Sequence, residues 1–297
     1  MIEESERRLL FKSAYNSHGL PIVEFGAFFG ASALALAEGL AAKYPLGKQK
    51  VLCIDAFEVG HEDAFHKHVI LFAERCNKKH LLQDAHGKTA WIEITKLVTR
   101  EQQERISFHE GIVDNGFNAT VLPHEIGLLH LDLPKDASTM LPILRSAFPR
   151  LARNSIIAFQ DYAYQFSNEL IAYFELLEES SIIVPIGIAA SSIFFRVVSP
   201  EPNAIDWEFY LSTALEHQHS LIQKAISRYK GYPQARAQEI IALKAAQIRS
   251  LTYQSISATF SQQEIVRSLI TDMIRLNPDR AAFVLAEVIT ENIGTPA

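Results

Sequence analysis

Cysteine, excess positive charge and long apolar runs are all scarce in this sequence, and each shortage excludes a class of protein. The two cysteines, Cys53 and Cys76, are too few for a disulfide framework and lack a metal-binding spacing, so we expect reduced thiols. The net charge of −6 argues against a general nucleic-acid-binding surface. No apolar stretch approaches the roughly 20 residues that cross a bilayer. The charged start MIEESERRLL also lacks the apolar centre of a signal peptide, so we expect a cytoplasmic globular protein without a membrane or nucleic-acid partner.

Three motifs of nucleotide-binding and hydrolytic enzymes are also missing. The sequence has neither the G-x-G-x-x-G fingerprint of dinucleotide-binding folds nor the P-loop of NTPases. It also lacks the G-x-S-x-G elbow of serine hydrolases. The serine hydrolase and NTPase classes therefore have no support. A nucleotide-dependent oxidoreductase is disfavoured by the glycine spacing and ranks behind the two functions considered at the end of this section.

Residues 20–32, LPIVEFGAFFGAS, join a short apolar run to a glycine turn and the start of a helix-forming stretch. Glu24 lies near the end of the run, and Gly26 and Gly30 follow in the spacing E-x-G-x-x-x-G. Glycine lets the backbone approach a ligand closely, and a helix start offers free N–H groups. This spacing suits a ligand that carries an ammonium group and a ribose, such as S-adenosylmethionine. An ordinary strand–turn–helix packing joint is the alternative.

A second buried strand, KVLCID at 50–55, ends in an acid. Asp55 at this position is able to accept both ribose hydroxyls, and Phe57 would lie against an adenine ring. The alternative role for Asp55 is to cap a helix or a turn.

The order of predicted elements defines the fold class. Five strands alternate with helices, two of which are predicted at 64–82 and 89–102 between the second and third strands. The β-rich runs at 181–185 and 192–198 are too close for a crossover helix, so they should pair antiparallel. The prediction is an α/β fold with a seven-stranded, mostly parallel, Rossmann-like sheet and helices on both faces.

After Pro200 the sequence becomes helical, and period counting gives about four helices. We therefore divide the chain into a ligand-binding domain at 1–199 and a helical extension at 200–297. The extension would pack against the sheet domain, act as a lid, or make the protein a homo-oligomer.

Polar side chains follow the fourth and fifth predicted strands. Asp132 ends the fourth, and Gln160 and Asp161 follow the fifth. Because ligands of open α/β sheets bind beyond the carboxyl ends of the strands, the carboxylates of Asp132 and Asp161 should converge. They would bind Mg²⁺ or Ca²⁺ beside a substrate diol, or one would act as a general base towards a hydroxyl. Capping of the following helix or loop is the alternative for each.

The histidines around the second and third strands do not form a metal pattern. His66 and His68 are spaced unsuitably for one helix face, and no cysteine or carboxylate completes a ligand set. A solvated surface is therefore the preferred interpretation. His61 is kept as a candidate base because it follows the loop after the second strand.

Five segments in order resemble the macrocin O-methyltransferase family of class I S-adenosylmethionine-dependent enzymes. VEFGAFFGAS resembles V-E-x-G-x-x-x-G-G/A-S, CIDAFEVG resembles D-S-F-x-G, and FHEGIVDN is similar to F-x-K-G-x-F-x-D-T. HLDLPKDAST is similar to L-D-x-D-x-Y-x-S-T, and FQDY to V-D-D-Y. The resemblance runs from about residue 20 to residue 162 and leaves out the helical extension.

The resemblance implies the same seven-stranded fold, transfer of a methyl group to sugar hydroxyls of natural products, and help from a divalent metal. The methionine end of the cofactor would contact Glu24 and the turn, and the adenosine would contact Asp55 and Phe57. The full set of cofactor candidates is Glu24, Gly26, Gly30, Ser32, Asp55, Phe57, Gly111 and Asp132. The metal candidates are Asp132, Asp161 and Gln160, and the catalytic candidates are Asp132, Asp161 and His61.

The acidic motifs depart from the family pattern at three positions. Pro134 replaces a second aspartate, Asp136 replaces a tyrosine, and Gln160 replaces the first acid of the D-D pair. The loss of negative charge lowers the expected affinity for Mg²⁺. The sequence thus predicts an S-adenosylmethionine-dependent O-methyltransferase for a small-molecule acceptor, plausibly a sugar or glycosylated natural product. The alternative is a non-catalytic, methyltransferase-like protein that binds a partner.

Overall fold

The structure, a computed structural model, describes residues 2–133, 137–198, 206–253 and 260–293. Its strands, numbered in chain order, are β1 (Ile22–Phe25), β2 (Val51–Asp55), β3 (Glu58–Gly60), β4 (Gln83–Ala85), β5 (Lys88–Ala90), β6 (Ile106–Glu110), β7 (Ile126–Leu131), β8 (Leu151–Phe159), β9 (Ile183–Ala189) and β10 (Ser192–Val197). Its α-helices are α1 (Glu4–Tyr15), α2 (Ala31–Lys43), α3 (Ala64–Arg75), α4 (Ile92–Thr99), α5 (Ala137–Ser146), α6 (Asn168–Glu179), α7 (Trp207–Glu216), α8 (Gln218–Gly231), α9 (Ala237–Tyr253), α10 (Phe260–Leu276) and α11 (Pro278–Ile293).

Seven strands form one sheet in the order β6-β2-β1-β7-β8-β10-β9. β1 pairs in parallel with β2 on one side and with β7 on the other. All four residues of β1 are buried, as expected for a parallel strand covered on both faces. β9 and β10 pair antiparallel, as their short connection predicts. The predicted α/β fold with a seven-stranded, mostly parallel, Rossmann-like sheet is confirmed.

The connection between β2 and β6 differs from its prediction. A single helix at 64–82 is wrong, because α3 ends at Arg75. Asn77 follows in the left-handed region with φ +53°, and the amide of Lys78 bonds the carbonyl of Ala73 at 2.7 Å. These are features of a Schellman stop, in which asparagine replaces the more usual glycine.

A second, three-stranded antiparallel sheet in the order β3-β5-β4 was not predicted. The turn between β4 and β5 consists of His86 and Gly87, and both have positive φ. This is the backbone of a two-residue hairpin turn, and the glycine there was a sequence signal for it. The predicted helix at 89–102 is correspondingly shorter, because β5 occupies its start and α4 begins at Ile92.

The helical extension is present but is divided differently from the prediction. The sequence predicts a first helix at 206–229, but it is interrupted at His217, whose backbone leaves the helical region and separates α7 from α8. The second predicted helix, at 233–260, lies partly outside the described residues. Among the helices in the described part of the chain, none combines the length and the apolar character needed to cross a bilayer.

The chain forms two compact units, Met1–Leu133 with Ser146–Ala158 and Pro134–Arg145 with Phe159–Ala297. The core of the first lies around β1 and includes Val23, Leu36 and Leu129, all fully buried. The second contains a core between α9, α10 and α11, formed by Ile241, Ala245, Ile248, Leu269, Met273, Ala281, Val284 and Val288. The division at residue 199, predicted from the sequence, stays a prediction.

Candidate functional site

The glycine turn after β1 forms a loop with alternating left-handed residues. Gly26 has φ +86°, Phe28 has φ +44° and Gly30 has φ +83°. A Cβ on Gly26 would lie 2.0 Å from the carbonyl oxygen of Asp132, so only glycine permits this approach between the ends of β1 and β7. The loop 26–30 is therefore fixed by backbone packing as well as by its positive φ angles.

Asp55 is bound to this loop. One of its carboxylate oxygens accepts the amide N–H of Phe28 at 2.9 Å, and the other accepts that of Phe57 at 2.8 Å. Burial raises the pKa of Asp55, and hydrogen bonds from backbone amides oppose this increase. The backbone amide of Ala27 is a third donor to this carboxylate. Because a carboxylate has about four acceptor sites, these amides orient Asp55 and leave it capacity for a further hydrogen bond.

Glu24 is fully buried, and both of its oxygens have partners on neighbouring strands. Oε1 lies 2.9 Å from Nδ1 of His130 on β7, and Oε2 accepts the thiol of Cys53 on β2 at 3.1 Å. Burial, followed by the charge of Glu24, raises the pKa of the Cys53 thiol well above its usual range. A buried carboxylate requires such partners. Its predicted contact with the methionine end of a cofactor stays a prediction.

The first turn of α2, within the described residues, carries no acidic side chain of its own. Gly30 precedes this turn as the N-terminal cap and supplies no side-chain hydrogen bond. Ser32 is buried in this turn. Free N–H groups and the positive end of the helix dipole suit a ligand carboxylate here.

Two other cofactor candidates have mainly backbone or packing roles. Phe57 is 1% exposed and packs edge-to-face on Phe108 with ring centroids 5.8 Å apart. Gly111 donates its amide to the carbonyl of Asp55 at 2.9 Å and so extends the pairing of β2 and β6. The predicted contacts of Phe57 and Gly111 with a cofactor stay predictions.

His61 lies at the small sheet with other polar side chains. Its Nε2 is 3.6 Å from the carboxylate of Asp84, and its ring lies 4.9 Å from that of His66. The hydroxyl of Thr89 donates to Asp84, and this bond lowers the pKa of Asp84. A role for His61 as a base stays a prediction.

The metal candidates lie in different units. Asp132 belongs to the first, and its amide donates to the carbonyl of Phe25 at 2.8 Å. Gln160 and Asp161 belong to the second, where the Asp161 carboxylate accepts the hydroxyl of Ser191 at 2.9 Å. Among the described residues, no three or more His, Cys, Asp or Glu side chains are grouped to hold a metal ion. The convergence of the two aspartates and the metal site stay predictions, and Pro134 and Asp136 lie outside the described residues.

Sequence reasoning missed the residues that support the loop 26–30 from α4. The Thr95 hydroxyl donates to the carbonyl of Phe28 at 2.6 Å, and methyl groups of Thr95 and Thr99 pack against Gly30. The ring of Phe28 also contacts an aromatic cluster consisting of Phe29, Phe65, Phe72 and Trp91. The two threonines share one face of α4 at a spacing of four, but nothing in that spacing identifies their partner.

Residues 23–162 match a family model described as a methyltransferase domain. Comparison with curated proteins gave no match. The more specific resemblance to macrocin O-methyltransferases stays a prediction.

Several solved methyltransferase structures have a similar fold, and three of them illustrate the similarity. The O-methyltransferase NovP is 12% identical with a TM-score of 0.48, covering 66% of this chain and 80% of its own. CalS11, a TDP-rhamnose 3′-O-methyltransferase of calicheamicin biosynthesis, is 21% identical with a TM-score of 0.42, covering 64% and 76%. The SAH-bound Podospora anserina methyltransferase PaMTH1 is 17% identical with a TM-score of 0.41, covering 67% and 80%. At these identities the similarity concerns the fold alone.

Proposed function

We propose that this protein is an S-adenosylmethionine-dependent O-methyltransferase that acts on a hydroxyl of a small molecule, with a sugar or glycosylated metabolite as the acceptor class. One observation carries the proposal: the Asp55 carboxylate is anchored to the amide of Phe28 within the loop 26–30, inside the region that matches the methyltransferase domain. The rival is a methyltransferase-like protein that binds a partner without catalysis.

The first unit offers complementary groups for the two ends of the cofactor. The remaining acceptor capacity of Asp55 suits a ribose hydroxyl. The uncapped start of α2 suits the methionine carboxylate. The buried carboxylate of Glu24, on β1 just before the loop 26–30, favours a positively charged ligand nearby.

S-adenosylmethionine supplies an activated methyl group, so the protein has to position the acceptor and remove one proton. We assign the acceptor side to Asp132 and Asp161, with His61 as a further candidate base and Mg²⁺ as the proposed metal. Assembly as a homo-oligomer through the helical extension and a cytoplasmic location also stay proposals.

Isothermal titration with S-adenosylhomocysteine (SAH) tests the cofactor half of the proposal. Replacing Asp55 with Asn should weaken binding at least tenfold, because a hydrogen bond to a charged group contributes about 1.5–3 kcal/mol and about 1.4 kcal/mol is a factor of ten. Asp63→Asn is the matched control, since Asp63 also accepts a backbone amide but at the start of α3. Absence of binding by the unmodified protein at millimolar SAH would refute the proposal.

The same titration has an expected pH dependence. Because the folded pKa of Asp55 is raised, its carboxylate takes up a proton at a higher pH than an ordinary aspartate. SAH affinity should therefore fall as the pH decreases through this raised pKa, and Asp55→Asn should abolish that part of the dependence. An unchanged pH profile in the variant would show that Asp55 does not contact the ligand.

Turnover separates the proposed function from its rival. Methyl transfer from S-adenosylmethionine to a panel of sugar and glycoside hydroxyls, with and without a chelator, is expected to reveal an acceptor and any dependence on Mg²⁺. SAH binding without transfer to any hydroxyl in the panel would favour the non-catalytic alternative.

A further inference from the structure

The segment between β8 and α6, residues 160–167, contains the candidate acid Asp161 in an unfavourable backbone conformation. Asp161 has φ +54°, a region that side-chain-bearing residues rarely adopt without support. Its carboxylate accepts the hydroxyl of Ser191 at 2.9 Å, and its carbonyl accepts the hydroxyl of Ser167 at 2.9 Å. We call residues 160–167 the acid loop.

Helix α8 contacts the acid loop by two routes. The Tyr229 hydroxyl donates to the carbonyl of Ser191 at 3.3 Å, and the amide of Ala163 donates to the same oxygen at 2.9 Å. The rings of Tyr162 and Tyr229 are stacked with centroids 6.0 Å apart. Ser191, which binds Asp161, is therefore held by both α8 and the loop itself.

The second route is a buried ionic network. Glu175 on α6 accepts the hydroxyl of Tyr162 and the guanidinium of Arg228 on α8. Arg228 also reaches the carboxylate of Glu178 at 3.1 Å. Glu175 and Tyr162 are fully buried, so the network connects the acid loop to α8 away from water.

Helices α9 and α11 hold the other end of the acid loop. Arg249 on α9 donates to the carbonyl of Phe166 and to the side chain of Asn168, each at 3.3 Å, and lies 5.0 Å from the Phe166 ring. Gln165, which is 2% exposed, donates to Glu287 on α11 at 2.6 Å. The ring of Phe166 also packs against the apolar core of α9, α10 and α11.

We propose that α8, α9 and α11 form a clamp that fixes the acid loop and thereby sets the position of Asp161. Arg228, Arg249 and Glu287 are then positioning residues for the acceptor side of the site.

The burial of the acid loop distinguishes it from a lid. A lid opens readily because few of its contacts are buried. The acid loop has the opposite character, since Tyr162, Gln165 and Ser167 are all buried. The effect of the clamp on methyl transfer to the acceptor rests on the proposed function. The clamp itself rests only on the contacts described above.

Hydrogen exchange of the full chain tests the clamp directly. In Arg249→Ala and in Glu287→Ala we expect amides of the acid loop to exchange at least tenfold faster, while amides of the loop 26–30 exchange as before. Arg267→Ala is the control, because it removes an exposed arginine from α10 and should change neither. Glu287 is only partly buried, so its variant keeps the test informative if Arg249→Ala does not fold. Unchanged exchange in the acid loop of the folded variants would overturn the proposal.

Enzyme kinetics test the positioning role. With an acceptor identified, both variants should lose kcat at least tenfold with unchanged SAH affinity, and Arg249→Lys should recover part of the loss because it retains the positive charge. A variant with a faster-exchanging acid loop and unchanged kcat would overturn the positioning role. If the unmodified protein binds no SAH, the proposed function fails, but hydrogen exchange still decides whether the clamp exists.

Discussion

At the scale of single residues, the two glycines of the loop after β1 are required for different reasons. Gly26 combines a positive φ with an approach that leaves no room for a Cβ beside the backbone of Asp132. Gly30 has a similar φ, but its neighbours are methyl groups of Thr95 and Thr99, which are side-chain atoms. Substitution at Gly26 therefore has to displace the backbone at Asp132, directly after β7, whereas at Gly30 side chains are the obstacle.

Three glycine-to-alanine variants separate backbone strain from steric exclusion. Gly60→Ala, with open space and an ordinary φ, should change stability by less than about 0.5 kcal/mol. Gly87→Ala, at φ +76° in open space, should cost about 1–2 kcal/mol of strain. Gly26→Ala should lose a further 1–3 kcal/mol, roughly, through overpacking. Urea unfolding measures all three, and equal losses for Gly26 and Gly87 would contradict the close approach to Asp132.

The candidate acids also show what residue-level reasoning could predict. The order of residues in the chain was enough to place Glu24 and Asp55 towards the ends of the first and second strands. The structure shows in addition that these two strands are neighbours. Their hydrogen-bond partners could not be predicted, because His130 is separated from Glu24 by 106 residues and Phe28 from Asp55 by 27. Only the parallel register of β1 with β2 and β7 brings Cys53, Glu24 and His130 side by side.

At the scale of elements, α4 supports the loop 26–30 through one hydroxyl. The Thr95 hydroxyl donates to the loop carbonyl of Phe28, whereas the Thr99 hydroxyl donates to the carbonyl of Thr95 within α4. Both methyl groups face Gly30. The two threonines therefore form a natural pair for separating a contact with the loop from a contact within the helix.

We expect Thr95→Val to destabilise the protein by about 1 kcal/mol and to weaken SAH binding several-fold, because the carbonyl of Phe28 loses its donor. Thr99→Val should have almost no effect on binding, since valine retains the methyl contact and no loop group loses a partner. Thermal unfolding and isothermal titration of the two variants provide the comparison. Equal binding losses in both would show that the hydroxyl of Thr95 is not the important group.

The small sheet illustrates why the elements between β2 and β6 were predicted less accurately. Strands β3, β4 and β5 have only three residues each, which is too short for a periodicity to be detected. The prediction of a helix at 89–102 rested on the helical spacing of Trp91, Ile94 and Val98. A helix is present there, but it begins after β5 rather than at residue 89. Local turn chemistry at Asn77 and Gly87 decided these boundaries.

At the scale of the whole molecule, a buried ion pair anchors the helical extension within the second unit. Burial raises the pKa of Glu175, and the charge of Arg228 opposes this increase. Removal of one partner leaves an uncompensated buried charge, which costs more than the intact pair contributes. The stability of this unit should therefore depend on Arg228 in a pH-dependent way.

We expect Arg228→Met to lose about 3–5 kcal/mol of stability near neutral pH. Without Arg228 the folded pKa of Glu175 is raised further above its ordinary value of 4.5, so the folded state binds a proton more readily than the unfolded state. The free energy of unfolding of the variant should therefore rise as the pH falls through this raised pKa. The difference in stability between the variant and the unmodified protein should become smaller. Urea unfolding between pH 5 and pH 8, roughly, measures the effect.

The double variant Arg228→Met with Glu175→Gln is the control for this mechanism. It removes the buried charge together with its partner, so most of the lost stability should return at neutral pH. A deficit that stays constant with pH, or a double variant no more stable than Arg228→Met, would show that lost packing rather than an unpaired charge is responsible.

Features that can be read along the chain were enough to predict the fold class, the terminal antiparallel pair and the position of the glycine turn between β1 and α2. These features are local apolar runs, connection lengths and glycine. The tertiary structure decided which groups occupy the oxygens of Glu24 and Asp55, and which helices hold the acid loop. Such contacts join residues up to 122 positions apart, as between Gln165 and Glu287, and side-chain pairing over these separations leaves no periodic pattern in the sequence.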